Sequence, residues 1–333
     1  MRRLTLVTGA TGFIGSYLVR QLVAEGQDVR VLVRRPEGLE ERVRRRVDIV
    51  RGDLRDRDSL VDAVRGVHTL FHLAACTRAW SRDPADFTAV NTQAVETLLE
   101  AAFRQDVQRL VHVSTILTLP PYRPAPLNGS AQRPTLYEDS KRAGEQLVES
   151  YAASGRRAVI VHPTRVYGPG PLSEANSATK VIALYLRGRF RVRIADGGVL
   201  GNYVHAADVA AGIRLAVRRG RTGAHYVLGG DPRDANVSLL AYLKLAGELA
   251  GVKRRVIALP RRAALAAAHA ALLWGRLGGT TPITPGWVRV FLEDRRVDVT
   301  PARRELGYDP RHLREGLGQT IAWLRGRRKD LTA

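Results

Sequence analysis

The 333-residue sequence has one cysteine, Cys76, and one methionine. A lone thiol excludes an internal disulfide framework, and no signal-peptide pattern precedes the first apolar segment, so the expected compartment is the cytoplasm. Lysine is scarce too: positions 141, 180, 244, 253 and 329 hold all of it, although Lys and Arg together number 53 against 32 acidic residues. The net charge of +21 is therefore nearly all arginine. It runs along the whole chain instead of gathering in a tail or stripe. That spread reads as compositional bias and argues against a nucleic-acid partner. The densest cluster, Arg42, Arg44, Arg45 and Arg46, reads as a solvated face. No apolar run approaches the ~20 residues that cross a bilayer. The alanine-rich stretch Arg262–Leu277 is apolar nearly all round. It is expected to be buried against the body, with contact to anionic headgroups through its flanking arginines as the alternative. No group of His, Cys, Asp and Glu shows metal-ligand spacing, so no metal is expected.

What the sequence does have begins at once. Leu4–Val7 is a β-branched apolar run that reads as a buried parallel strand. It breaks at Gly9-Ala10-Thr11-Gly12-Phe13-Ile14-Gly15 and resumes with apolar residues at helical spacing. Gly9 permits the tight turn, Gly12 lets the backbone approach a pyrophosphate, and Gly15 lets helix and strand pack closely. The anion would rest on the helix N-terminus. Strand and helix patterns then alternate, with strands at Asp28–Val33, Val47–Val50, Thr69–Leu73, Leu110–Val113 and Ala158–Val161. A long helix is predicted over Pro84–Arg104 and another over Tyr137–Ser154. The alternation predicts an α/β, Rossmann-type doubly wound parallel sheet over residues 1–170. Residues 171–333 read as a smaller, mostly helical substrate-binding domain, interleaved with the first at its edges. Leu117–Thr135 is too polar and broken for regular structure and reads as a functional loop.

The most specific local signal is Tyr137-Glu138-Asp139-Ser140-Lys141. Residues four apart share a helix face, so the Tyr137 phenol and Lys141 ammonium project the same way. A nearby cation favours the phenolate and moves tyrosine towards useful acid/base behaviour. The preceding strand ends at Ser114-Thr115, where parallel sheets bind their ligands. Thr115 suits the role of orienting a substrate oxygen. Ser114 is the competing candidate, with a purely structural role as its alternative.

Together with Asp53, His72-Leu73-Ala74-Ala75, Asn91 and Pro163-Thr164-Arg165-Val166-Tyr167-Gly168-Pro169-Gly170, these motifs resemble the extended short-chain dehydrogenase/reductase family. That family holds NAD(P)-dependent epimerases, dehydratases and dihydroflavonol-reductase-like enzymes. The resemblance implies Tyr137 as general acid/base, Lys141 on the nicotinamide ribose, Thr115 on the substrate oxygen and Asn91 organising the site. It implies a cofactor groove of Gly9, Thr11, Gly12, Phe13, Ile14 and Gly15, continued by Leu73, Ala74, Ala75 and Ser114. Asp53 and Leu54 would contact the adenine, and Pro163 and Val166 would flank the nicotinamide. Strand two ends at Val33-Arg34-Arg35 with no carboxylate, which favours NADP over NAD because a guanidinium pairs with the extra phosphate.

Departures from the family patterns narrow the branch. Ile116 and Leu117 follow Thr115 where sugar dehydratases carry Asp-Glu. Gly201 stands where sugar epimerases carry a diphosphate-gripping arginine. Ala94 and Val95 follow Asn91 where the family has Gly-Thr. Trp80, Thr115 and His205 are the expected substrate contacts. The sequence thus predicts an NADP-dependent oxidoreductase for a small or apolar carbonyl substrate. An epimerase and a non-catalytic, cofactor-sensing or nucleic-acid-binding protein are the alternatives. A homodimer through the Pro84–Arg104 and Tyr137–Ser154 helices is the expected assembly.

Overall fold

The computed structural model describes residues 3–330 apart from 79, 82, 128–132, 196, 197 and 278–282. Its centre is a seven-stranded parallel sheet in the order β10-β6-β5-β4-β1-β2-β3. The strands are β1 (Thr5–Thr8), β2 (Val29–Val33), β3 (Asp48–Arg51), β4 (Thr69–His72), β5 (Arg109–Val113), β6 (Ala158–Pro163) and β10 (His225–Leu228). β1, β4 and β6 are buried at every residue, as expected for parallel strands covered on both faces. The order reverses between β1 and β4, and it is at this switch point that such sheets open a ligand crevice.

Helices cover both faces. α1 (Phe13–Ala24) and α8 (Ala206–Arg219) lie on one side, where Leu18, Leu22, Val209 and Ile213 meet Val7, Val31 and Val111. The Gln21 side chain donates to the Ala207 carbonyl at 3.0 Å, joining the two helices. α2 (Glu41–Arg44) flanks α1. On the other face α3 (Arg57–Val64), α5 (Ala94–Arg104) and α6 (Leu136–Ala153) cover Leu6, Leu70, Leu110 and Ile160. The long helix predicted over Pro84–Arg104 is interrupted. α4 (Ala85–Thr88) and α5 are joined by a π-helical turn, Ala89–Gln93, whose wider coil brings Asn91 inward.

The chain after residue 170 serves both halves. α8 and β10 complete the large sheet. β7 (Arg165–Tyr167), β9 (Gly201–His205) and β11 (Asn236–Val237) make a three-stranded sheet. With α7 (Ser177–Leu186), α9 (Pro232–Ala235), α10 (Leu239–Leu249) and α14 (Leu313–Asp330) it encloses Tyr167, Tyr185, Tyr203 and Tyr242. Tyr203 and Tyr242 stack face to face at 3.9 Å. α13 (Thr300–Leu306) returns to α8 and β10. A last small core joins Ala125 and Leu127 of the long loop to α11 (Arg261–Arg276) and α12 (Pro285–Leu292), beside the two-stranded pair β8 (Val192–Ile194) and β12 (Ile257–Leu259).

α11 departs from the burial expected of it. Ala264 and Ala268 are buried, while Leu273, Trp274 and Leu277 are 59%, 62% and 82% exposed. Among the described residues no helix is long and apolar enough to cross a membrane. Among the described residues the long loop has a short 3₁₀ turn, Ile116–Thr118, and an antiparallel bridge from Arg123 to Asp294; residues 128–132 lie outside them.

Candidate active site

The crevice at the switch point is lined by the first glycine turn. Gly9 sits at φ +76°, a left-handed value that glycine adopts freely. A Cβ there would fall 2.6 Å from the Ala74 backbone nitrogen, and a Cβ on Gly15 would fall 2.0 Å from the Gly9 carbonyl oxygen. The turn, the end of β4 and the first turn of α1 therefore pack backbone against backbone. Gly12 caps α1 with no side-chain hydrogen bond, so the first amides, those of Phe13, Ile14 and Gly15, open towards the crevice. Thr11 stands exposed at the lip, against Gly38. The far wall is Leu73, Ala74 and Ala75, with the Leu73 amide donating to the Thr8 carbonyl at 3.2 Å. These features fit a dinucleotide pyrophosphate.

At the end of β2, Arg34 and Arg35 are both exposed. The Arg34 guanidinium is 4.0 Å from the Asp53 carboxylate. Asp53 is gripped by Arg55 at 3.0 and 3.1 Å, and this hydrogen bonding holds its carboxyl below the ordinary range. Leu54 is half-buried on the α3 side of the sheet.

The reacting groups are carried by α6. Thr135 and Glu138 form a capping box: the Glu138 amide donates to Thr135 Oγ1 at 3.2 Å, and the Thr135 amide donates to Glu138 Oε2 at 2.7 Å. Tyr137 therefore lies in a fixed first turn with its phenol beside the Thr115 hydroxyl. Burial pushes the phenol up to about 12, with the Thr115 hydroxyl opposing. Lys141 is buried one turn on. Its Nζ donates to the Val113 carbonyl at 2.8 Å and to His112 Nε2 at 3.3 Å, and burial draws its pKa down to about 8. The lowering of Tyr137 by Lys141 that the sequence led us to expect is not what this arrangement gives. The ammonium is turned to β5, and the phenol responds first to burial and then to Thr115.

Polar rows beneath these groups were missed by the sequence reading. Thr8, His72 and His112 sit side by side on β1, β4 and β5. Thr8 Oγ1 meets His72 Nδ1 at 2.8 Å, the two imidazoles stand 5.3 Å apart, and His112 reaches Lys141. Burial keeps both imidazoles neutral, His72 at about 3. Ser114 turns its hydroxyl to the buried Glu145 carboxylate, which also accepts from Thr118 at 2.6 Å. Thr115 and Ser114, adjacent in sequence, thus have different partners: one faces Tyr137, the other Glu145.

His162 Nδ1–H donates to the Thr115 carbonyl at 3.0 Å, so its Nε2 accepts from His225 Nδ1–H at 2.9 Å. The ring centroids are 5.2 Å apart with planes 18° from parallel, edge to edge and unlike the Tyr203–Tyr242 stack. His225 Nε2 lies 3.1 Å from Glu149 near the surface. Glu145, His162 and His225 come within 4.8 Å of one another, a proximity that their sequence spacing does not reveal. Direct hydrogen bonding already occupies the nitrogens that face each other.

Asn91 is buried in the π turn. It accepts from the Cys76 amide at 2.8 Å and donates to the Cys76 carbonyl at 3.1 Å and to Ser140 Oγ at 3.0 Å. It ties the segment after β4 to the helix bearing Tyr137 and Lys141. Gly144 lets the two helices touch, because a Cβ there would fall 2.5 Å from the Asn91 carbonyl oxygen. Cys76 itself is half-buried, and burial pushes its thiol up.

Pro163 ends β6 and Val166 is half-buried in β7, where the strands turn towards the second half. His205 is placed elsewhere. Its Nδ1 caps α8 by accepting from the Ala207 amide at 3.2 Å, and its ring packs beside Tyr17, Tyr167 and Gly168. Trp80 is half-buried, next to residue 79, which lies outside the described set.

The roof of the site comes from the far end of the chain. Buried Arg289 pairs with both Glu138 and Glu293, and Arg295 pairs with Glu293 at 2.6 Å. Arg295 also donates to the carbonyls of Ile116 at 2.8 Å and Leu119 at 3.0 Å, fixing the loop that follows Thr115. The Thr135-x-x-Glu138 spacing is a readable capping signal; nothing local announces Arg289 or Arg295. Beside Gly201, the space that a larger residue would take holds the Arg165 guanidinium, 2.5 Å from a Cβ built there and 3.1 Å from the Tyr203 hydroxyl.

A model of the NAD dependent epimerase/dehydratase family matches residues 5–229. The chain is 35% identical over 316 residues to a Stigmatella aurantiaca 4-hydroxy-2-methyl-3-oxo-4-farnesyl-3,4-dihydroquinoline-1-oxide ketoreductase, covering 91% of each. It is 30% identical to the sterol demethylase protein B of Methylococcus capsulatus, covering 97% of this chain and 98% of that one. Among solved structures, MoeE5 in complex with UDP-glucuronic acid and NAD superposes with a TM-score of 0.75 at 30% identity, covering 97% of this chain and 99% of that chain.

Proposed function

The chain belongs to the NAD dependent epimerase/dehydratase family, and from that premise we propose an NADP-dependent oxidoreductase interconverting a ketone or aldehyde and an alcohol on a small or apolar substrate. The observation that carries this reading is the Tyr137 phenol beside the Thr115 hydroxyl with Lys141 buried one turn on. Residues 1–170 act as the dinucleotide half, joined by α8 and β10, and the remainder of 171–333 shapes the substrate side.

When bound, the nicotinamide dinucleotide supplies or accepts the hydride. Gly9 to Gly15 would hold its pyrophosphate, Asp53 and Leu54 its adenine, and Pro163 and Val166 would flank its nicotinamide. Thr115 orients the substrate oxygen against Tyr137. A phenol held near 12 keeps its proton at neutral pH, so Tyr137 is set to donate as the carbonyl oxygen gains charge. Lys141 would hold the nicotinamide ribose of the bound cofactor, and Asn91 keeps α6 in place under the Cys76 segment. Two exposed guanidiniums and an Asp53 already held by Arg55 support NADP. The farnesyl-bearing substrate in the ketoreductase relative's name supports an apolar carbonyl compound.

Arg165 beside Gly201 favours a second reading. A guanidinium does occupy the region where the sequence shows glycine, and the MoeE5 neighbour carries a UDP-sugar. Under this reading the enzyme epimerises a sugar nucleotide with no net change in nicotinamide absorbance, whereas the first reading gives a stoichiometric change. Tyr137→Phe should lower turnover by about a thousandfold while cofactor binding persists. A wild type that binds the cofactor but shows no turnover would instead leave a non-catalytic, cofactor-sensing role, and unchanged turnover in the variant would remove Tyr137 from the mechanism. The homodimer through α5 and α6 draws less support. Ala94, Leu98, Ala101 and Ala102 face the sheet, and Glu96, Glu100 and Asp139 lie outside.

A further inference from the structure

Nine large hydrophobic side chains are prominently exposed among the described residues, and five of them gather on β8, β12 and the end of α11. Phe103 is covered by the Arg156 guanidinium at 4.4 Å, and Tyr122 by that of Arg296 at 4.3 Å. Of the rest, Val192 and Ile257 face each other across the β8–β12 pair, and Leu273, Trp274 and Leu277 end α11. Isolated exposed hydrophobics are ordinary; a group confined to one lobe marks a contact surface.

α11 explains the grouping. It buries one stripe, Ala264 and Ala268, against Ala125 and Leu127 of the active-site loop and against Val288 and Leu292. Its opposite side carries a second apolar stripe at helical spacing: Ala263, Ala266, Ala270, Leu273, Trp274 and Leu277, all exposed. Arg262 and His269, seven residues apart and both exposed, place a polar edge along that stripe. The surrounding sequence has charge of one sign only. Between Glu248 and Glu293 there are seven Lys or Arg residues and no Asp or Glu. Lys253, Arg254, Arg255, Arg261 and Arg262 are exposed. A helix with an apolar outer stripe, a basic edge and too few residues to span a bilayer suits the plane of an anionic lipid surface. Its arginine stems lie along the apolar boundary while their heads reach the phosphates.

We infer that the outer face of α11, with the β8–β12 edge, docks this protein peripherally on anionic membrane. The docked lobe is the one that roofs the site: the inner stripe of α11 packs on the loop after Thr115, and α12 carries Arg289 to Glu138. Docking would hold the roof of the site at the bilayer, where an apolar substrate would concentrate. That advantage rests on the apolar-substrate reading; the docking does not, and is measured without substrate.

The test is sedimentation of the full chain with vesicles of phosphatidylcholine, with and without an equal part of phosphatidylglycerol, across a salt series. The wild-type protein should sediment with the anionic vesicles and leave them as salt rises. Leu273→Glu with Trp274→Glu should weaken partitioning by at least ~30-fold, and Arg261→Glu with Arg262→Glu by about tenfold. Both variants should keep wild-type NADP affinity and mobility on gel filtration, which excludes misfolding. The inference is overturned by a wild-type protein that stays in the supernatant, or by a Leu273/Trp274 variant that sediments as well as wild type. It also falls if the wild type is an oligomer that this variant breaks, for then the stripe seats a second copy of the chain.

Discussion

The dinucleotide cradle and the lobe over Tyr137 achieve rigidity in opposite ways. In the cradle the contacts are short in sequence and made of backbone. Gly9, Gly12 and Gly15 span seven residues, and the tightest approach is between Gly15 and the Gly9 carbonyl. In the lobe the contacts are long in sequence and made of charge. Glu138 meets Arg289 from 151 residues away, and Arg295 reaches back 179 residues to the Ile116 carbonyl. The first kind of rigidity fails when atoms are added, the second when charges are removed.

Arg289→Met should show this most strongly. It leaves Glu138 and Glu293 buried with Arg295 as their one remaining cation, and unfolding stability should fall by about 3–5 kcal/mol in chemical denaturation. Cofactor affinity of the folded fraction should stay near wild type; a parallel loss would mean that the two regions are not separately held. Gly15→Ala reverses the pattern. A methyl group 2.0 Å from a carbonyl oxygen forces the turn open, so cofactor affinity should fall by roughly a hundredfold, with stability lowered by about 1–3 kcal/mol. Calorimetric titration separates the two. Arg34→Ser probes the rim of the cradle, where the side chain is 74% exposed and bears on no packing. Losing one charge-assisted phosphate contact should cost about thirtyfold in NADP affinity and leave NAD affinity unchanged, read as a shifted preference ratio. The smallest effect is in pH. Lys141 assists as a cation, and burial holds it at about 8, so the charge is present below that value and lost above it. Turnover should drop about tenfold between roughly pH 7 and pH 9, and Lys141→Met should lack that limb.

The same contrast explains what could be read from the sequence. The glycine turn, the alternating strands and the Tyr137/Lys141 spacing are local patterns, set by the left-handed φ of Gly9 and by helical and strand periodicity. Fold class and family followed from them, supported by a match over residues 5–229. Asn91 was marked by resemblance, yet the π turn that aims it has no periodic signature. His162, His225 and Glu145 looked scattered because β6, β10 and α6 bring them together only in the finished sheet. His205 stood in a suggestive segment, but its burial and its bond to the Ala207 amide make it a helix cap. For α11, composition suggested a buried helix. Alanine is compatible with either environment, and only packing distinguishes the inner stripe from the outer one.

The Glu138–Arg289 link also bears on building chimaeras. Substrate lobes look exchangeable between relatives sharing a dinucleotide half, and the division at residue 170 invites such a cut. Here the capping box that starts the Tyr137 helix is completed from across that boundary. Thr135 lies against Gly286, and Glu138 is neutralised by Arg289 with Arg295 at 4.0 Å. A transplanted lobe lacking a cation at that point would arrive with an unanswered carboxylate one residue from the proton donor. Specificity in this scaffold therefore travels as a set, with positions 138, 289, 293 and 295 moved together.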